Sequence, residues 1–148
     1  CMTNIGHFRA AGKLLESYYK KNKSELQTKL WMAPPTKMDE RKLKEEGFYD
    51  IYKNVGVRTE MPGCSLCMGN QARVEDKATV LSTSTRNFPN RLGKGANVYL
   101  ASAELSVIAA VEGIIPSIDT YREYLTSIEN NKDEIFHYMN FNKLQEYN

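Results

Sequence analysis

Cys64 and Cys67 lie inside the run Pro62-Gly63-Cys64-Ser65-Leu66-Cys67-Met68-Gly69-Asn70. A C-x-x-C pair holds two sulfurs on one turn, close enough to chelate a single metal or cluster. The flanking glycines let the backbone approach closely and pass through positive φ. Taken alone, the pair leaves three chemistries open: half of a zinc site, a redox dithiol, or part of an iron–sulfur site. The third cysteine, Cys1, shifts that balance. A structural zinc site wants four protein ligands, and the two histidines, His7 and His137, are poor candidates, one on the first predicted helix and the other near the tail. A dithiol oxidoreductase leaves Cys1 unexplained. Three cysteines on a four-iron cubane leave one iron without a protein ligand, the kind of open position through which a catalytic metal binds substrate.

Thr83-Ser84-Thr85-Arg86-Asn87-Phe88-Pro89-Asn90-Arg91-Leu92-Gly93 is the second chemistry-bearing segment. Arg86 and Arg91, in a Gly/Pro/Asn-rich loop after a predicted strand, can both point into one crevice. Guanidinium forks match carboxylates in bidentate geometry, and lysine does not replace them on equal terms. The bland alternative is a solvated loop with incidental positive charge.

The elements that must position these loops follow from periodicity. Ile5, Phe8, Ala11, Leu15 and Tyr18 recur at helical spacing and predict an amphipathic helix over 5–20. The run 30–33, stopped by Pro34-Pro35, predicts a buried strand. Thr36 with Asp39 resembles a capping box opening a charged helix that ends near Gly47. Further strands are predicted at 55–60, 79–82 and 98–100. Ser102 caps a helix ending at Gly113, and Ser117 caps another through Ile118, Tyr121, Leu125 and Ile128. One or two short helices are expected over 133–147. Alternating strands and helices predict an α/β layer fold: a short, mainly parallel sheet flanked by helices, ending in an all-helical tail. The expected division is one domain, 1–148, with an α/β body over 1–113 and a helical tail over 114–148. In such sheets ligands sit beyond the carboxyl ends of the strands. The C-x-x-C turn and the arginine loop each follow a predicted strand, so both are expected on one edge of one sheet.

Length and charge bound the rest. A chain of 148 residues fits one domain with a proper core, and 20 Lys+Arg against 18 Asp+Glu leave a net charge of +2. That balance argues for neither nucleic acid nor a membrane surface. The longest apolar stretches, such as 107–111, fall far short of the roughly 20 residues of a membrane-spanning helix. Three cysteines are odd in number and too few for a disulfide framework, so a reducing, cytoplasmic setting is expected. The first residue is Cys1 rather than Met, and the chain is expected to be part of something larger.

Cys1-Met2-Thr3-Asn4, the run 62–71, the run 82–93 and Ala101-Ser102-Ala103-Glu104-Leu105 resemble, in order, the carboxy-terminal part of the B-type bacterial aconitases. The resemblance covers essentially the whole chain. The run 82–91 points to the B type rather than the mitochondrial type, which has Asn where Thr85 stands here. It implies that Cys1, Cys64 and Cys67 are the cysteine ligands of a [4Fe–4S] cluster whose fourth iron binds citrate or isocitrate. It also implies that Arg86 and Arg91 hold substrate carboxylates. The implied reaction is reversible dehydration and rehydration through cis-aconitate in the citric acid cycle, a lyase chemistry. The serine base and further substrate residues are implied to come from the remaining domains of the same enzyme, so no catalytic residue is assigned here and the isolated chain is expected to be inactive. Ser65, Ser82 and Ser84 are expected to be loop hydrogen-bonders. Two alternatives stand beside the hydro-lyase: a cluster-free module binding messenger RNA, which the near-zero net charge weighs against, and a Cys64/Cys67 exchange dithiol, for which Cys1 would be dispensable.

Overall fold

The computed structural model describes residues 3–86 and 88–137. Helix α1, Ile5–Asn22, runs through the middle of the core and buries Phe8, Ala11, Leu14, Leu15 and Tyr18. Its start is fixed by a capping box: the Asn4 side-chain oxygen accepts from the Gly6 N–H at 2.9 Å, and His7 Nδ1 accepts from the Asn4 N–H at 3.1 Å. Strand β1, Trp31–Met32, ends before the prolines, and α2, Lys37–Glu45, opens on the Thr36/Asp39 capping box as its sequence predicts. Gly47, at φ +81°, then turns the chain into α3, Phe48–Asn54. The periodicity did not disclose α3, because seven residues are too few to establish a period.

Strand β2, Arg58–Thr59, pairs with β1 in parallel, Trp31 facing Arg58 and Met32 facing Thr59. Strands β3, Thr79–Ser82, and β4, Asn97–Leu100, form a second parallel pair, with Thr79 opposite Asn97 and Ser82 opposite Leu100. The chain is therefore a mixed α/β unit with short parallel strands, as expected. The strands nevertheless come, among the described residues, as two separate pairs rather than one sheet. Helix α4, Ala103–Glu112, is capped by Ser102 and stopped by Gly113, and α5, Ile118–Glu129, is capped by Ser117. A last turn, α6, Lys132–Ile135, follows. Ile128 and Ile135 join the same apolar core as α1, α3 and α4. The expected helical segment beyond 137 and the residues Cys1, Met2 and Asn87 lie outside the described residues.

One buried charge organises the helices. Arg9, 1% exposed, makes a two-pronged pair with Glu46, Nε to Oε2 and Nη2 to Oε1 both at 2.7 Å. Its remaining nitrogen donates to the carbonyls of Ile135 and His137 at 3.4 and 2.9 Å. One guanidinium thus ties α1 to the end of α2 and to α6, satisfying orphan carbonyls where the chain leaves the helix.

Candidate functional site

Parallel strands need a crossover of a dozen or more residues, commonly a helix. Between β3 and β4 the described residues of the crossover, 83–86 and 88–96, form no helix or strand, and the crossover contains the arginine loop. Because the two strands run in parallel, Thr83 and Ala101 leave the sheet at the same edge. Thr83, Leu100, Ala101, Ser102 and Ala103 line a pocket there of about 310 Å³ together with Thr3 and His7. The pocket therefore collects the carboxyl ends of β3 and β4 and the starts of α1 and α4, where the sequence rule for α/β sheets puts a ligand.

The C-x-x-C turn follows β2. Its backbone is closed by Met68 N–H to Cys64 O at 3.0 Å, Gly69 N–H to Leu66 O at 3.1 Å and Asn70 N–H to Ser65 O at 2.9 Å. Gly63 N–H donates to Pro34 O at 2.9 Å, which anchors the turn to the exit of β1. Both cysteines are free thiols, Cys64 exposed and Cys67 partly buried.

The turn and the arginine loop are pressed together. Arg91, 3% exposed, donates through Nη1 to the Cys67 carbonyl and through Nη2 to Ser82 Oγ at 3.4 Å. Cys67 Sγ and Ser84 Oγ are 2.7 Å apart. Gly69, at φ +74°, has no room for a side chain, because a Cβ there would run into the Arg91 carbonyl. Val74 N–H to Leu92 O and Arg73 Nη2 to Asn90 O, both 2.8 Å, continue the lacing outward. Arg91 has no carboxylate partner among the described residues, although a buried guanidinium is costly unless an anion or several acceptors meet it. Arg86 stands exposed on the same loop, its backbone N–H donating to Ser84 Oγ at 3.2 Å. The structure thus brings Arg91, Ser82 and Ser84 to Cys67, and leaves the Arg86 side chain without a contact to the pair.

Cys1 lies outside the described residues, so its sulfur has no stated position. The donor set still carries information. No group of three or more His, Cys, Asp or Glu that could hold a metal exists among the described residues. His7 is spent on the α1 cap and His137 sits near Glu46, so neither completes a zinc site with Cys64 and Cys67. Cys64 and Cys67 are the two cysteine donors among the described residues. Cys1 is two residues before Thr3, a reach of about 7 Å of extended chain. Thr3 shares its pocket with Thr83, the neighbour of the Ser84 that touches Cys67. The Asn4 side chain caps α1, and the Asn70 N–H closes the turn on the Ser65 carbonyl. Ser84 is a loop hydrogen-bonder as expected, but its partner Cys67 was not legible, because a hydroxyl seventeen positions away has no periodic or motif relation to it.

A family model described as "Aconitase family (aconitate hydratase)" matches residues 1–113. Aconitate hydratase B of Escherichia coli (strain K12) is 58% identical over 147 residues, covering 99% of this chain and 16% of its own length. The Pseudomonas aeruginosa protein of the same name is 54% identical over 147 residues, with the same coverage of 99% and 16%. The large subunit of 3-isopropylmalate dehydratase from Flavobacterium johnsoniae is 36% identical over 110 residues, covering 74% of this chain and 23% of that protein. The chain therefore spans only 16% of the length of the aconitate hydratase B relatives.

Proposed function

Because the chain belongs to the aconitase family, we propose that it supplies the cluster-holding part of a hydro-lyase that interconverts citrate and isocitrate through cis-aconitate. Cys1, Cys64 and Cys67 would hold a [4Fe–4S] cluster. Bound there, the cluster would supply a Lewis-acidic iron with no cysteine ligand, which eases departure of a substrate hydroxyl without net redox change. Cys64 and Cys67, which belong to no group of three or more His, Cys, Asp or Glu among the described residues, suit soft iron–sulfur ligation completed by the Cys1 sulfur.

The observation that carries this proposal is Arg91: a buried cation with no carboxylate among the described residues, bonded to the backbone of Cys67. Five N–H donors leave it capacity for an anion beyond the two bonds described. Arg91 fixes the distance between the C-x-x-C turn and the strand-end loop. Arg86, exposed on that loop, would close on a second carboxylate of the same substrate. The base that removes a carbon-bound proton is assigned to another part of the longer enzyme, so this chain alone would bind substrate without turning it over. Tyr99 and Leu100 on β4 and Ile114, Ile115 and Ile118 beyond α4, all strongly exposed, are proposed to pack against those remaining domains.

Citrate binding to the anaerobically reconstituted chain, followed by visible absorption, tests the proposal. Arg86→Gln removes a charge-assisted contact and should weaken binding by on the order of tenfold to a hundredfold. Equal affinity in the variant, or no citrate binding by the unaltered chain, would overturn it.

A further inference from the structure

Four hydrogen bonds close a ring around one of the two sulfurs of the C-x-x-C turn. Cys67 Sγ meets Ser84 Oγ at 2.7 Å, and Ser84 N–H donates to Ser82 Oγ at 3.2 Å. Arg91 Nη2 reaches the same Ser82 oxygen at 3.4 Å, and Arg91 Nη1 returns to the Cys67 carbonyl. Cys67 is therefore gripped at its sulfur and at its backbone by one loop. Cys64, exposed, has no side-chain hydrogen bond among the described residues. The two cysteines share one turn and differ sharply in surroundings.

The direction of the sulfur bond follows from counting donors. A serine hydroxyl has one proton and two acceptor lone pairs. One of its lone pairs is taken by the Arg86 N–H at 3.2 Å. The hydroxyl proton has no other partner among the described residues than Cys67 Sγ. A cysteine sulfur bound to metal has no proton to give, so in that state the bond runs only from Ser84 to Cys67. Donors of this kind orient a ligand and set the potential of an iron–sulfur centre, because they stabilise the more negative, reduced form.

We propose that Ser84 is a positioning residue for the cluster site, donating its hydroxyl proton to the Cys67 sulfur and marking that corner of the bound cluster as the hydrogen-bonded one. This rests on the cluster assignment to Cys1, Cys64 and Cys67. Ser84 is assigned no contact with substrate. Its part is to hold the sulfur in one rotamer and to lower the energy of the extra electron when the cluster is reduced by one.

The test uses the full chain reconstituted anaerobically with iron and sulfide, in unaltered form and as Ser84→Ala and Ser84→Thr. Ser84→Ala should shift the one-electron reduction potential to a more negative value and speed cluster loss in air. Ser84→Thr keeps the hydroxyl and should restore both. Electron–nuclear double resonance on the reduced cluster should show a solvent-exchangeable proton coupled to it in the unaltered chain and in Ser84→Thr, and should lose that coupling in Ser84→Ala. Equal potentials and equal proton couplings in all three loaded proteins would overturn the role of Ser84 while leaving the cluster assignment standing. Failure of the unaltered chain to take up a cluster would overturn both together. Should Ser84→Ala fail to load, the exchangeable coupling in the other two decides: its absence in them refutes the donor.

Discussion

At the scale of single residues, the contact between the C-x-x-C turn and the arginine loop depends on a position with no side chain. Gly69 sits at φ +74°, and its missing Cβ is what lets the turn lie against the Arg91 carbonyl. Gly47 has a comparable φ of +81° with nothing within 4 Å of the corresponding Cβ. The pair separates conformational cost from collision. Gly47→Ala should destabilise by about 1 kcal/mol, the cost of a left-handed conformation alone. Gly69→Ala should cost about 3 kcal/mol, because strain and overpacking add. Urea denaturation of both variants measures the difference, and equal losses would mean that the two loops do not bear on one another. The C-x-x-C turn was legible from spacing, and so was a pair of arginines on the loop after a strand. That Arg91 is buried and braced against Cys67 was not, because burial of an arginine is decided by the loop that folds over it.

At the scale of elements, local signals were legible where their chemistry is local. The Asn4, Thr36, Ser102 and Ser117 caps satisfy amide groups two or three residues away, so three of them could be read from sequence, and each starts a helix where expected. The Arg9–Glu46 pair, thirty-seven positions apart, left no trace. Glu46→Gln removes the charge opposite a guanidinium that is 1% exposed and should cost about 3 kcal/mol. Thermal or urea unfolding checks it, and hydrogen exchange should show the largest loss of protection at the end of α2 and around α6. A loss below about 0.5 kcal/mol, the range of exposed pairs, would contradict the structural role given to Arg9.

At the scale of the whole molecule, the α/β class was legible from alternating strands and helices, but the arrangement of the strands was not. Two-residue and four-residue strands carry too little pattern to reveal their partners, and a single sheet expected from sequence is, among the described residues, two parallel pairs. Global stability should fall in alkali. Tyr49 and Tyr124 are both pushed up from 10.0 to about 12, chiefly by burial, with Glu40 near the first and a hydrogen bond to Glu112 on the second adding to it. Tyr52, buried and donating to the Phe8 carbonyl at 2.7 Å, is raised further in the same direction. The unfolded chain releases these protons near its ordinary tyrosine value while the folded chain keeps them, so above about pH 10 the unfolded state binds fewer protons and stability declines as pH rises. Urea midpoints should drop steadily between pH 10 and 12, and Tyr49→Phe, whose hydroxyl is buried without a partner among the described residues, should flatten that drop. An unchanged midpoint across that interval would contradict it. The central claim is that three sulfurs from distant points of this chain hold one cluster and leave a corner of it free. Mössbauer spectroscopy of the chain reconstituted anaerobically with iron-57 and sulfide tests that most directly, comparing the unaltered protein with Cys1→Ser. The account predicts four irons per chain, one of them distinct and responsive to citrate, and no stable cluster in Cys1→Ser. Identical iron content and spectra in the two proteins would contradict it.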